Sequence, residues 1–91
     1  MKIEFEELCV REVKEFHKLL LNEINTLPNN IFTLDFTKVE EIDLCAIQLL
    51  ISLGNYCKSF DIQLQCTNIN STQVIQSIKT YNLDKHLGIT L

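Results

Sequence analysis

The amino-acid sequence predicts an α/β fold, a single domain over residues 1–91 in which a mostly parallel or mixed central sheet of about four strands packs against helices. Three observations carry this. Ile31–Phe36 is a short apolar, β-prone run bounded by Pro28-Asn29-Asn30. Leu44–Cys57 holds no charged side chain and follows Asp43, a strong helix N-cap residue. Ile62-Gln63-Leu64-Gln65-Cys66 alternates strictly between apolar and polar, as a half-buried strand does.

Each element has its own local reason. Lys2–Phe5 alternates like an edge strand with Ile3 and Phe5 inward, and Leu8–Val10 can add a short second strand. From about Arg11 to Ile24, Val13, Phe16, Leu20 and Ile24 recur at helical spacing, with Leu27 beyond them and Glu12 and Glu15 near the start, where the helix dipole favours anions. Thr26-Leu27-Pro28-Asn29-Asn30 breaks that helix before the strand at Ile31. The central helix runs from Leu44 to about Phe60, and the strand Ile62–Cys66 follows. Asn70-Ser71-Thr72 caps a last helix through Tyr81, with Val74, Ile75 and Ile78 inward, and Leu83, Leu87, Ile89 and Leu91 complete the core. This order of strands and helices, joined by right-handed crossovers, gives a largely parallel sheet. It also fits a small flavodoxin-like or thioredoxin-like domain, the latter disfavoured because the chain has no C-x-x-C.

Composition narrows the function classes. A hydrophobic share of 46% supports a packed domain rather than disorder. A net charge of −4, with scattered basic residues, argues against nucleic acid, whose phosphates need clustered Lys and Arg. No apolar stretch is long enough for a membrane span, and the acidic start Met1–Glu7 lacks a signal-peptide core, so the expected location is the cytoplasm. Two glycines, neither opening a helix after a strand, cannot build a phosphate cradle, and no cofactor is expected. Cys9, Cys45, Cys57 and Cys66 match no paired metal or redox spacing; Cys9, Cys57 and Cys66 read as small apolar residues in a reducing compartment. His17 reads as solvated or packed, and His86 as a capping or surface residue. Glu40, Glu41 and Asp43 cluster, yet a strand-to-helix turn collects carboxylates anyway and no nucleophile and base accompany them; no catalytic residue is expected.

The start of the central helix is the distinctive feature. On a helical wheel Ala46, Leu49, Leu50, Leu53, Cys57 and Phe60 gather as the sheet-facing side, while Gln48, Ser52, Asn55 and Ser59 mark the solvated side. Leu44, Ile47 and Ile51 form a separate apolar stripe bordering the polar one. Such a stripe is either covered by neighbouring helices or left as a contact surface. As a contact surface it would take aspartate at Leu44 or Ile47 with little loss of stability.

The same stretch resembles the signature of the STAS domain family, the fold of anti-sigma-factor antagonists and of the cytoplasmic tails of sulfate transporters. That family carries L-D-[LF]-[ST]-x-V-x-x-I-D, matched here by Leu34, Asp35, Phe36, Thr37, Val39, Ile42 and Asp43, followed by Ala46, Ile47, Leu49 and Leu50. Ile69-Asn70 and Asn82–Leu87 also resemble the family's closing strand, turn and helix. The resemblance implies a non-catalytic protein-binding module in bacterial signalling, using the Asp43, Leu44, Cys45, Ile47, Gln48 and Ile51 face. Its partner would be a serine-kinase-like protein of ATPase fold, a chemotaxis protein, or a lipid-transport ABC ATPase; a homo-oligomer is also compatible.

The resemblance makes one negative prediction. Phosphorylated relatives carry serine or threonine just after the aspartate, where this chain has Leu44 and Cys45, followed by Ala46 in place of the usual glycine. Neither side chain accepts a phosphoryl group from a serine kinase, so the switch is expected to be absent and leucine to offer apolar contact at all times. Cys45, as the second residue of a helix, feels the positive helix end while Asp43 opposes thiolate formation, which leaves a redox-tuned contact open. Some relatives bind nucleotides or lipids, a third class; the weak polarity around the helix start and the glycine shortage argue against nucleotides.

Overall fold

The computed structural model describes residues 1–89. Its elements run β1 (Glu7–Leu8), α1 (Val10–Asn25), β2 (Ile31–Asp35), β3 (Glu41–Ile42), α2 (Leu44–Ser59), β4 (Gln63–Thr67), α3 (Thr72–Thr80) and α4 (Leu83–Leu87). The α/β class stands, and every strand pairing is parallel. The sheet itself differs from expectation. Instead of one sheet there are two separate strand pairs, β1 with β3 and β2 with β4.

The break between the pairs has local causes. After β2, the Asp35 carboxylate accepts from the Thr37 N–H and hydroxyl, an Asx turn that ends the strand. Glu6 then gives one carbonyl to two consecutive donors, Glu40 N–H and Glu41 N–H, so the ladder does not run on evenly. Lys2–Phe5 is not a full strand: it meets β2 through one bridge, Lys2 with Asp35, although Ile3 is wholly buried and Phe5 lies edge-to-face on Phe16. Val10, expected at the end of a second strand, is the first residue of α1.

The β2–β4 pair buries only one face. Phe32 and Leu34 are buried and Leu64 and Cys66 half-buried, while Ile31 is exposed and Thr33 faces Gln65 on the polar side. Parallel pairing here coexists with a one-sided core. The buried face shares a single core with Phe16 and Leu20 of α1, Ala46, Leu50 and Leu53 of α2, Val74 and Ile78 of α3, and Leu83 and Leu87 of α4.

Two glycine-dependent details shape the helix layer. A Cβ on Gly54 would collide with the backbone oxygen of His86, so α2 and α4 approach as closely as they do only because that position lacks a side chain. Gly88 ends α4 in the left-handed conformation, φ +66°, as a helix C-cap favours. Residues 83–87, read from the sequence as closing core, form the separate short helix α4. Leu91, also expected in the core, lies outside the described residues.

Candidate functional site

The first residues of α1 and α2 meet at Asp43. Its Oδ1 accepts from the Ala46 N–H at 3.0 Å, the expected N-cap of α2. Its Oδ2 accepts from the Val10 N–H at 2.8 Å. Cys9, the N-cap residue of α1, makes no side-chain capping bond, so Asp43 supplies that cap from 33 residues away. Neighbouring backbone bonds hold the arrangement, since Asp43 N–H donates to the Leu8 carbonyl. One carboxylate thus lies against two positive helix ends and satisfies one donor in each.

The first turn of α3 secures the other side of the junction. Gln73 accepts from the Ile42 N–H and donates to the Ile42 carbonyl, and Ser71 donates to the Glu40 carbonyl at 2.6 Å. A lone glutamine in the first turn of a predicted helix gives no sequence sign of such a clamp.

Around this junction the expected contact residues separate. Leu44 is 53% exposed, Cys45 and Gln48 are exposed, Asp43 and Ile51 are half-buried, and Ile47 is only 2% exposed. Ile47 therefore belongs to the core rather than to the surface. It lies on the same arc of α2 as Gly54, which packs against α4, and it belongs to the single buried core. The wheel also failed at the other end of the helix, where Phe60 is 62% exposed. Phe60 is the C-cap of α2, its N–H still bonded to the Tyr56 carbonyl, and its ring packs against the exposed Tyr56 ring, centroids 4.6 Å apart, beyond the reach of the core.

Val10 is the residue that sequence reasoning missed. It is 66% exposed, and its backbone N–H is held by the carboxylate of Asp43, the residue that immediately precedes the exposed Leu44. Its place three residues before Val13 continues the apolar period of α1, so no sequence signal marked it as exposed.

Chemically the junction presents apolar contact ringed by carboxylates. Glu40 and Glu41 are exposed next to it, and both oxygens of Asp43 are engaged by backbone donors. Burial pushes the Cys9 thiol up, and the nearby Asp43 and Glu7 charges push it further, which disfavours the thiolate. Burial raises Cys57, and Cys66 is pushed up to about 12, again chiefly by burial. Cys57 is buried and Cys9 and Cys66 half-buried, in keeping with their expected apolar role, while Cys45 is exposed. His17 is exposed and His86 half-buried. Among the described residues, no group of three or more His, Cys, Asp or Glu is placed to hold a metal ion, and no helix is long and apolar enough to cross a membrane. No family model, curated protein or solved structure matches the chain.

Proposed function

We propose that this chain is a non-catalytic, STAS-type protein-binding module of a bacterial signalling system, acting in the cytoplasm through the start of α2. The observation that carries the reading is the pair of exposed aliphatic residues, Leu44, which follows the doubly capping Asp43, and Val10, whose backbone N–H that carboxylate holds. A small domain that leaves two aliphatic residues in water at a rigid helix junction presents a ready contact: fully burying each such side chain is worth about 1.5–3 kcal/mol. Cys45 and Gln48 extend the surface along α2, and Ile51 borders it. Ile47 supports the site from beneath.

Leucine and cysteine at the two positions after Asp43 favour a permanent contact over a phosphorylation-gated one. That feature also suits a second reading, in which the chain is a fixed regulatory subunit of a lipid-transport ABC ATPase. The test is affinity capture from lysate of the native host, with proteins identified by mass spectrometry, comparing wild type with Leu44→Asp. A serine-kinase-like or chemotaxis protein lost only from the variant supports signalling. A transporter ATPase lost in the same way supports the second reading, and identical captures reject the site.

A further inference from the structure

A second surface lies along the flank of the two long helices. Leu20, Leu21 and Ile24 of α1 face Leu49, Leu53 and Tyr56 of α2 across an open, mainly apolar groove of about 150 Å³. Leu21 and Tyr56 form its rims and are 47% and 40% exposed. The stretch His17–Ile24 on one wall and Leu49–Tyr56 on the other each cover two helical turns, about 12 Å.

The α1 rim carries a charge pattern opposite to that of the chain as a whole. Arg11, Lys14 and Lys18 are all exposed and line one side of α1 at i, i+3 and i+7, with the exposed carboxylate of Glu15 beside them, so cations outnumber carboxylates three to one there. Leu21 continues that row, three residues beyond Lys18 and seven beyond Lys14, so the basic ribbon and the groove share one edge of the helix. None of the three cations makes an ion pair among the described residues, where Lys38 with Glu4 is the single pair. The α2 wall opposite is neutral, with Ser52 in the groove and Gln48 and Asn55 exposed on the same helix. In a chain of net charge −4, three of the eight basic residues run along one edge of α1 toward this groove, Lys18 beside it and Lys14 and Arg11 extending past its N-terminal end.

We propose that this groove docks a short acidic amphipathic helix of a partner protein. Its apolar residues, at i, i+4 and i+7, lie between Leu21 and Tyr56, and its carboxylates cross to Arg11, Lys14 and Lys18. Two turns of groove bury far less than a standard interface, so the contact is weak and salt-sensitive. An anionic membrane is the poorer occupant. Three cations fall short of the four to eight that mark lipid-binding clusters, and a concave groove suits a rod rather than a plane. This surface is separate from the Leu44 junction and does not depend on it.

The test uses a fluorescein-labelled 14-residue helical peptide with leucines at i, i+4 and i+7 and glutamates on one flank. Controls are the same peptide with lysines for the glutamates, and vesicles of phosphatidylserine and phosphatidylcholine. Expected are saturable binding of the acidic peptide in the micromolar range, amide shifts centred on His17, Leu21, Ser52 and Tyr56, and loss of about tenfold or more in affinity for Lys14→Glu/Lys18→Glu and for Leu21→Asp. Both variants alter exposed residues, and their folding is checked by circular dichroism. No saturable binding up to about 1 mM peptide, equal binding of the lysine peptide, shifts outside the groove, or unchanged affinity in the variants each overturns the proposal. So does vesicle binding without peptide binding, or displacement of the peptide by self-association of the chain.

Discussion

Asp43 should act as two helix caps, and its two halves can be separated by mutation. Asp43→Ala removes the acceptors of both Ala46 N–H and Val10 N–H. A single N-cap loss costs roughly 1 kcal/mol, and Val10 is exposed enough for water to replace part of the second bond, so the sum is about 1.5–2.5 kcal/mol. For a domain of this size that corresponds to a fall in Tm of roughly 6–20 °C. Asp43→Asn keeps one carbonyl oxygen for Ala46 but turns an NH2 toward Val10, and should lose about 1 kcal/mol. Val10→Pro removes the second donor altogether. Proline suits the first position of a helix, and Cys9 before it is already extended, φ −118°, ψ 176°, as a residue preceding proline must be. In the Val10→Pro background Asp43→Asn should therefore be nearly neutral. Urea denaturation of the four proteins, followed by circular dichroism, gives a coupling energy close to 1 kcal/mol if the reasoning holds. A coupling below about 0.3 kcal/mol, or Asp43→Asn as stable as wild type, refutes the double cap.

Other substitutions test the packing and the turn. Gly54→Ala gains about 0.8–1 kcal/mol in helix propensity yet brings a Cβ onto the His86 carbonyl, so net destabilisation and faster hydrogen exchange in α4 are expected. Leu50→Ala, at 1% exposure, should cost about 2–5 kcal/mol in denaturant titrations. Ile47→Asp buries a charge and should unfold the domain, whereas Leu44→Asp should change stability by less than about 0.5 kcal/mol; paired thermal melts distinguish them. The Asp35 carboxyl is held below its usual value by the Thr37 hydroxyl, the Thr37 N–H and Asn68. Its contribution is present above the ordinary aspartate range and is lost as the pH falls through the lowered folded value. Asp35→Asn should thus flatten the stability curve below about pH 4 in acid titrations.

What the sequence revealed tracks the range over which each determinant acts. Strand β2, the cap at Asp43, the cap at Ser71 and the Val13, Phe16, Leu20, Ile24 period of α1 are set by neighbours within one or two turns, and all of them stand in the structure. Ile47 and Phe60 were misplaced because a helical wheel assumes one core direction and a core as long as the helix. Helix α4 packs against a second arc of α2, and Phe60, the C-cap, lies beyond the reach of the core. The split of the sheet depends on how Glu6 meets Glu40 and Glu41, a pairing across more than thirty residues that no local pattern encodes. The Asp43–Val10 bond is equally remote, and it is what brings Val10 to the candidate surface.

The most direct test of the central claim is the affinity of the captured partner for wild-type and Leu44→Asp protein, with stability measured on the same samples. The account predicts a loss of at least about tenfold in affinity while stability stays within about 0.5 kcal/mol of wild type. Unchanged affinity, or affinity lost only in step with stability, would contradict it.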